Sequence, residues 1–135
     1  MLDNTFIYNA IKPLVSLGVK PGTMYSKELL KGTIEIIILK LLSENNKMYG
    51  YEITQRVKEL TADRIEISEG ALYPLLHKLE ATGLLKVESV ANGKRIRKYY
   101  KLTKTGKVTA KEKIKELNEF MKSISLVMNL KPSGI

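Results

Sequence analysis

The chain has 135 residues, enough for one domain with a real hydrophobic core. Its 23 Lys and Arg against 14 Asp and Glu leave a formal charge of +9, which favours an anionic partner, either nucleic acid or an acidic membrane surface. Cysteine is absent, so disulfides, thiolate catalysis and Cys-type zinc sites are excluded, and a reducing, cytoplasmic setting is compatible.

Residues 1–23 differ in character from the rest of the chain. Ile7, Ile11 and Leu14 have helical spacing, but Pro13 interrupts them and Gly18, Pro21 and Gly22 make the next stretch a linker. An N-terminal extension is expected there, either an additional helix or a stretch upstream of a start at Met24. Asp3 and the lack of a basic start followed by an apolar block argue against a signal peptide. The longest apolar run, residues 36–39, stops at Lys40 and cannot span a bilayer, which needs roughly 20 apolar residues. No membrane partner is expected.

Over residues 27–43, Leu30, Ile34, Ile37, Ile38, Leu41 and Leu42 follow helical spacing, with Ile36 and Leu39 on a second side. The run is β-branched, yet its periodicity outlasts a strand, so a helix covered on more than one side is predicted. Asn45 and Asn46 end it. A second helix over residues 49–60 points Ile53, Val57 and Leu60 inward, and Ile65, Glu66 and Ile67 alternate as a short strand would.

Residues 67–85 organise the rest. Leu72, Leu75, Leu76 and Leu79 share one apolar stripe, while Gly70, Tyr73, Pro74 and His77 point away. Ser68 is a good N-cap and Gly83 stands where a glycine would end the helix. Pro74 lacks the amide that its position normally uses, so either the first turn is distorted or the regular helix starts later than Ser68.

Two extended stretches come next, residues 84–90 and 96–102, with Asn92 and Gly93 proposed as the central pair of a type I′ hairpin turn. In the second stretch Tyr100 is in phase with Leu102 and is assigned to the core, leaving Tyr99 outside to meet phosphate or cover a strand. Thr103 caps a last helix in which Ala110, Ile114, Leu117, Met121, Ile124 and Met128 form a heptad seam, with Phe120 and Val127 beside it. Between Lys94 and Lys115 lie ten basic residues and one acid, Glu112.

Three helices followed by a basic-tipped hairpin make the order of a winged helix-turn-helix, mainly α with a small β-hairpin, plus a long C-terminal dimerisation helix. The boundaries are residues 24–103 for the winged domain and 104–135 for the last helix and tail. The helix-turn-helix offers Tyr51 from its second helix and Ser68, Gly70, Tyr73, His77 and Lys78 from its third to a groove, and the wing offers Lys94, Arg95, Arg97 and Lys98 to phosphate. The plain alternative for the wing tip is solvated surface. His77 is the only histidine and the chain has no cysteine, so no metal or catalytic base is expected of it. No phosphate loop or nucleophile elbow is present, so an enzyme is not expected and no cofactor is predicted. The seam residues Ile114, Leu117, Met121, Ile124 and Met128 pack on their own domain, pair with a second subunit, or add a ligand pocket lined by Phe120, Met121 and Ile124; pairing is preferred because the domain already closes its core.

Four stretches in order carry a further signal: Leu29-Leu30-Lys31-Gly32-Thr33, Tyr49-Gly50-Tyr51-Glu52, Gly70-Ala71-Leu72-Tyr73-Pro74-Leu75-Leu76 and Arg97-Lys98-Tyr99-Tyr100-Lys101-Leu102-Thr103-Lys104-Thr105-Gly106. Together they resemble the PadR family of bacterial winged-helix transcriptional regulators, and the single helix after the wing is similar to the family's shorter branch. The resemblance implies a homodimer joined through C-terminal helices and often N-terminal ones, repression at a pseudo-palindromic operator in double-stranded DNA, and response to a small aromatic or drug-like effector. The chain departs from the pattern in places. The family usually has His where Tyr49 stands and a hydroxyl residue where Ala71 stands, and often proline where Glu69 places a negative charge. With no Trp, the tryptophan-sandwich drug site of the short branch does not carry over. Two other functions use the same basic surface: a non-specific or architectural nucleic-acid binder, and a winged-helix protein-interaction module.

Overall fold

The computed structural model describes residues 25–129; the extension expected over residues 1–23, with Met24, lies outside them. The elements in chain order are α1 (Lys27–Leu30), α2 (Ile34–Glu44), β1 (Met48–Tyr49), α3 (Gly50–Leu60), α4 (Glu69–Ala81), β2 (Leu85–Asn92), β3 (Arg95–Leu102) and α5 (Lys104–Met128).

The single helix predicted over residues 27–43 is two helices. Lys31 leaves helical geometry and Gly32 takes φ +88°, a left-handed conformation that glycine adopts without steric cost and that apolar periodicity does not register. Ser26 caps α1 by accepting from the Leu29 N–H at 3.2 Å. In α2, Ile38, Leu39, Leu41 and Leu42 are all buried, so this helix is covered on more than one side, as its composition requires.

The sheet has three antiparallel strands in the order β1-β3-β2. The strand expected at Ile65–Ile67 does not form. Ile67 is buried and Ile65 half-buried as parts of a loop, and the Ile65 N–H donates to the Thr61 hydroxyl at 3.0 Å rather than to a ladder. Met48 and Tyr49 take the edge position instead, opposite Tyr100 and Tyr99. The hairpin pairs continuously from Leu85↔Leu102 to Asn92↔Arg95, which makes Gly93 and Lys94 the loop residues. Only Gly93 has positive φ, +65°, as the first central residue of a II′ turn does, so the expected I′ turn centred on Asn92 and Gly93 is displaced by one residue.

Helix α4 begins directly after Ser68, whose hydroxyl accepts from the Ala71 N–H at 3.2 Å, and it runs on through Pro74. The late start allowed for by the proline does not occur. The acceptor that Pro74 leaves without its amide is the carbonyl of Gly70, an exposed residue where water can serve. At the other end Gly83 has φ +81°, and the N–H groups of Gly83 and Leu84 return to the carbonyls of Glu80 and Leu79 at 3.0 and 2.9 Å, the paired bonds of a Schellman stop.

Leu72, Leu76 and Leu79 meet α2, Ile53, Val57, Leu85, Tyr100 and Leu102 in one buried cluster. Helix α5 is keyed to it at its start: the Thr103 hydroxyl accepts from the Gly106 N–H at 3.0 Å and donates to the Gly83 carbonyl at 2.6 Å. A side chain at Gly106 would collide with the carbonyl of Leu84, so glycine is required there. The chain is thus mainly helical with a small sheet, a winged helix-turn-helix extended by a long C-terminal helix. Among the described residues, no helix is long and apolar enough to cross a membrane.

Candidate nucleic-acid interface

The apolar stripe of α4 fixes what its other face presents. With Leu72, Leu76 and Leu79 turned inward, Gly70, Tyr73, His77 and Lys78 are exposed, as is the capping Ser68. Tyr51, one residue into α3, is 62% exposed beside them. The start of α3 is itself held by Glu52, whose carboxylate accepts the Tyr49 N–H at 3.1 Å.

Tyr73 is not free on this face. A Cβ built on Gly50 would lie 2.6 Å from the Tyr73 hydroxyl oxygen, so the missing side chain is the seat on which the α4 phenol rests against the first turn of α3. This joins two of the sequence signatures, Tyr49-Gly50-Tyr51-Glu52 and Gly70-Ala71-Leu72-Tyr73, through space. No periodicity could have announced that contact.

The wing closes the other side. A depression of about 380 Å³ is lined by Tyr51, Tyr73 and His77 from the helices and by Arg95, Arg97 and Lys98 from β3. Six of the ten residues singled out for nucleic acid therefore share one concavity. Of the others, Ser68 and Gly70 lie at the N-terminal end of α4, Lys78 near its C-terminal end, and Lys94 at the wing tip.

Contacts not foreseen bind the wing to the body. On the sheet face away from the core, the Arg97 guanidinium carbon stands 4.1 Å from the centroid of the Tyr49 ring. Tyr49 meets Tyr99 edge-on at 5.5 Å and lies nearly parallel to Tyr51 at 6.5 Å. Lys47 lies 5.1 Å from the Tyr99 centroid and 3.4 Å from a Glu88 carboxylate oxygen. A side-chain hydrogen bond with Tyr99 raises the Arg97 pKa above its ordinary value. Of the tyrosine pair, Tyr100 is the buried one, at 2% exposure, as its phase predicts, and burial pushes its phenol upward.

The seam of α5 divides in two. Ala110 is buried and Ile114 and Leu117 are half-buried, whereas Phe120, Met121, Ile124, Val127 and Met128 are exposed. Leu126, which the heptad reading passed over, is more exposed still, at 82%. A second depression of about 360 Å³, almost wholly apolar, runs between Ile37 and Leu41 of α2, Val57 and Leu60 of α3, and Ile114 and Leu117 of α5. Among the described residues, no group of three or more His, Cys, Asp or Glu is placed to hold a metal ion.

Comparison with known proteins gives the arrangement a context. Residues 38–112 match the family described as transcriptional regulator PadR-like. An uncharacterised protein of Lysinibacillus sphaericus is 34% identical over 107 residues, 78% of this chain and 96% of its own length. A transcriptional regulator of Mycobacterium tuberculosis is 32% identical over 98 residues, 73% of this chain and 88% of its own. Among solved structures, a transcriptional regulator from Clostridium thermocellum superposes with a TM-score of 0.67 at 31% identity, covering 73% of this chain and 96% of its own. The Bacillus subtilis PadR solved in complex with operator DNA superposes with a TM-score of 0.56 at 27% identity, covering 63% of this chain and 48% of the longer relative. The family is one of transcriptional regulators rather than enzymes. From the seating of Tyr73 on Gly50 to the match over residues 38–112, the observations converge: this chain belongs to the PadR-like family of transcriptional regulators.

Proposed function

We propose that the chain is a homodimeric, sequence-specific repressor that binds a pseudo-palindromic operator in double-stranded DNA in the cytoplasm and is released by a small aromatic or drug-like effector. The observation that carries this reading is the single concavity shared by the outward face of α4 and the wing. Tyr73 and His77 stand on the helix that enters the major groove, with Tyr51, Ser68, Gly70 and Lys78 around them. Lys94, Arg95 and Lys98 take phosphates along the flank, and Arg97 completes the positive edge. A net charge of +9 supplies the long-range attraction. The winged domain of residues 24–103 reads, and the helix and tail of residues 104–135 pair two readers.

Pairing is supported by the exposed Met121, Ile124 and Met128, which follow Ile114 and Leu117 along one heptad seam after the domain has closed its own core. Phe120, Met121 and Ile124 are the apolar groups available to an aromatic effector where two such helices meet.

Selection of bound sequences from random duplex DNA tests the reading. A palindromic motif is the expected result, with log K falling against log salt at about −0.9 per phosphate for about 6–10 contacts per dimer. Binding without any enriched motif would replace it with a non-specific binder, and no duplex binding at low salt would point to a protein-interaction module.

A further inference from the structure

The wing is longer than the sheet that supports it. Strand β1 contributes only Met48 and Tyr49, opposite Tyr100 and Tyr99, while β2 and β3 continue pairing out to Asn92↔Arg95. From residue 98 toward the tip the hairpin is a two-stranded ribbon, a structure of marginal stability on its own. Arg97 lies two residues beyond the last β1 pairing and on the same face as Tyr99. Its guanidinium turns back onto Tyr49, 4.1 Å from the ring centroid, where β1 passes into α3.

We infer that Arg97 is a positioning residue: stacked on Tyr49, it braces the wing against the start of α3 and so sets where Arg95 and Lys98 meet the duplex. The inference rests on the DNA-binding reading and refines it, because it gives one of the wing cations a role other than phosphate contact. A planar guanidinium stacks on an aromatic face, whereas a lysine ammonium supplies the same charge without the flat surface. Tyr49 is in turn held by two neighbours: its ring and that of Tyr99 meet edge to face at 5.5 Å, and Glu52 accepts its backbone N–H at 3.1 Å. The brace thus ends on α3, the helix whose Gly50 also seats Tyr73 of α4. Wing and reading helix are referred to the same short stretch, residues 49–52, and their relative placement follows from it.

Four variants decide the matter: Arg97→Lys, Tyr49→Ala, Tyr49→Phe and the double variant Arg97→Lys with Tyr49→Ala. Operator binding is expected to weaken about threefold to tenfold in Arg97→Lys and in Tyr49→Ala, the range that corresponds to the worth of a stacked cation. The double variant should be no weaker than the weaker single variant, and Tyr49→Phe, which keeps the ring, should bind like the parent. Near-parental binding by Arg97→Lys, or losses that simply add in the double variant, would overturn the brace and return Arg97 to plain charge contact. Hydrogen exchange in the DNA-free protein decides the same question independently. Wing amides between residues 90 and 97 should exchange several-fold faster in Arg97→Lys and Tyr49→Ala while those of α2 are unchanged; unaltered wing exchange would likewise overturn the proposal. If the parent protein binds no duplex, the DNA reading fails alone and the exchange result still settles the brace.

Discussion

Helices α4 and α5 both carry an apolar stripe, yet they end in opposite conditions. The stripe of α4 is finished by its own chain: Leu72, Leu76 and Leu79 are at most 1% exposed, and what remains outside is polar or aromatic. The stripe of α5 is finished only at its first turns, around Gly106 and Ala110, after which Phe120, Met121, Ile124, Leu126, Val127 and Met128 are 43–82% exposed. Large apolar side chains seldom gather in such number on one exposed helical segment, so the contrast is between a helix that closes its own domain and one whose distal half leaves an apolar surface open.

The strongest test of that contrast is Leu76→Ala. It should cost about 2–5 kcal/mol of unfolding free energy, and because the α4 stripe is complete within one chain, the loss measured by urea denaturation should be the same at micromolar and at tenfold higher protein concentration. Replacing Met121 and Ile124 together by Glu should instead act through association. Sedimentation is expected to show the dimer dissociation constant raised at least about a hundredfold, since burying each such side chain is worth roughly 1.5–3 kcal/mol, while the far-ultraviolet circular dichroism of the winged domain is retained. An unchanged sedimentation coefficient would assign the α5 stripe to some other neighbour.

Smaller effects separate the outer face of α4 from the wing. His77→Ala should narrow the ratio of operator to random-DNA affinity about tenfold, whereas Arg95→Gln should weaken both alike and reduce the magnitude of the salt slope by about 0.9 per site. Competition binding at two salt concentrations distinguishes the two patterns, and equal losses on both DNAs from His77→Ala would remove that residue from the readout.

The smallest expected effect lies in the core that α4 helps to close. Burial raises the Tyr100 phenol pKa above its ordinary 10.0. A folded-state pKa above the unfolded one means that the contribution is fully present below about pH 10 and is lost as pH climbs through the raised value. Unfolding free energy measured between pH 9 and pH 11 should therefore fall more steeply for the parent than for Tyr100→Phe, and parallel slopes would assign the alkaline loss to other groups.

Much of this architecture is readable because the deciding chemistry is local. Ser68 and Thr103 hold their caps, Gly83 ends α4, and Leu72, Leu76 and Leu79 are buried where a 3.6-residue period places them. The exceptions have local causes too. Pro74 does not delay α4, because the carbonyl it abandons belongs to exposed Gly70; and Ile65–Ile67 alternates in burial without being a strand, because the Ile65 amide is claimed by Thr61. The family resemblance belongs on the readable side as well.

What the linear order could not decide were contacts between elements that meet only when the fold closes. A two-residue strand has no detectable period, so Met48 and Tyr49 were invisible as the edge of the sheet until Tyr100 and Tyr99 were laid against them. The seat of Tyr73 on Gly50 and the stack of Arg97 on Tyr49 likewise depend on the docking of separate elements. Side-chain periodicity and capping act over a few residues and so are written in order along the chain, whereas a cross-strand stack depends on distance and angle in space, which only the packed core supplies.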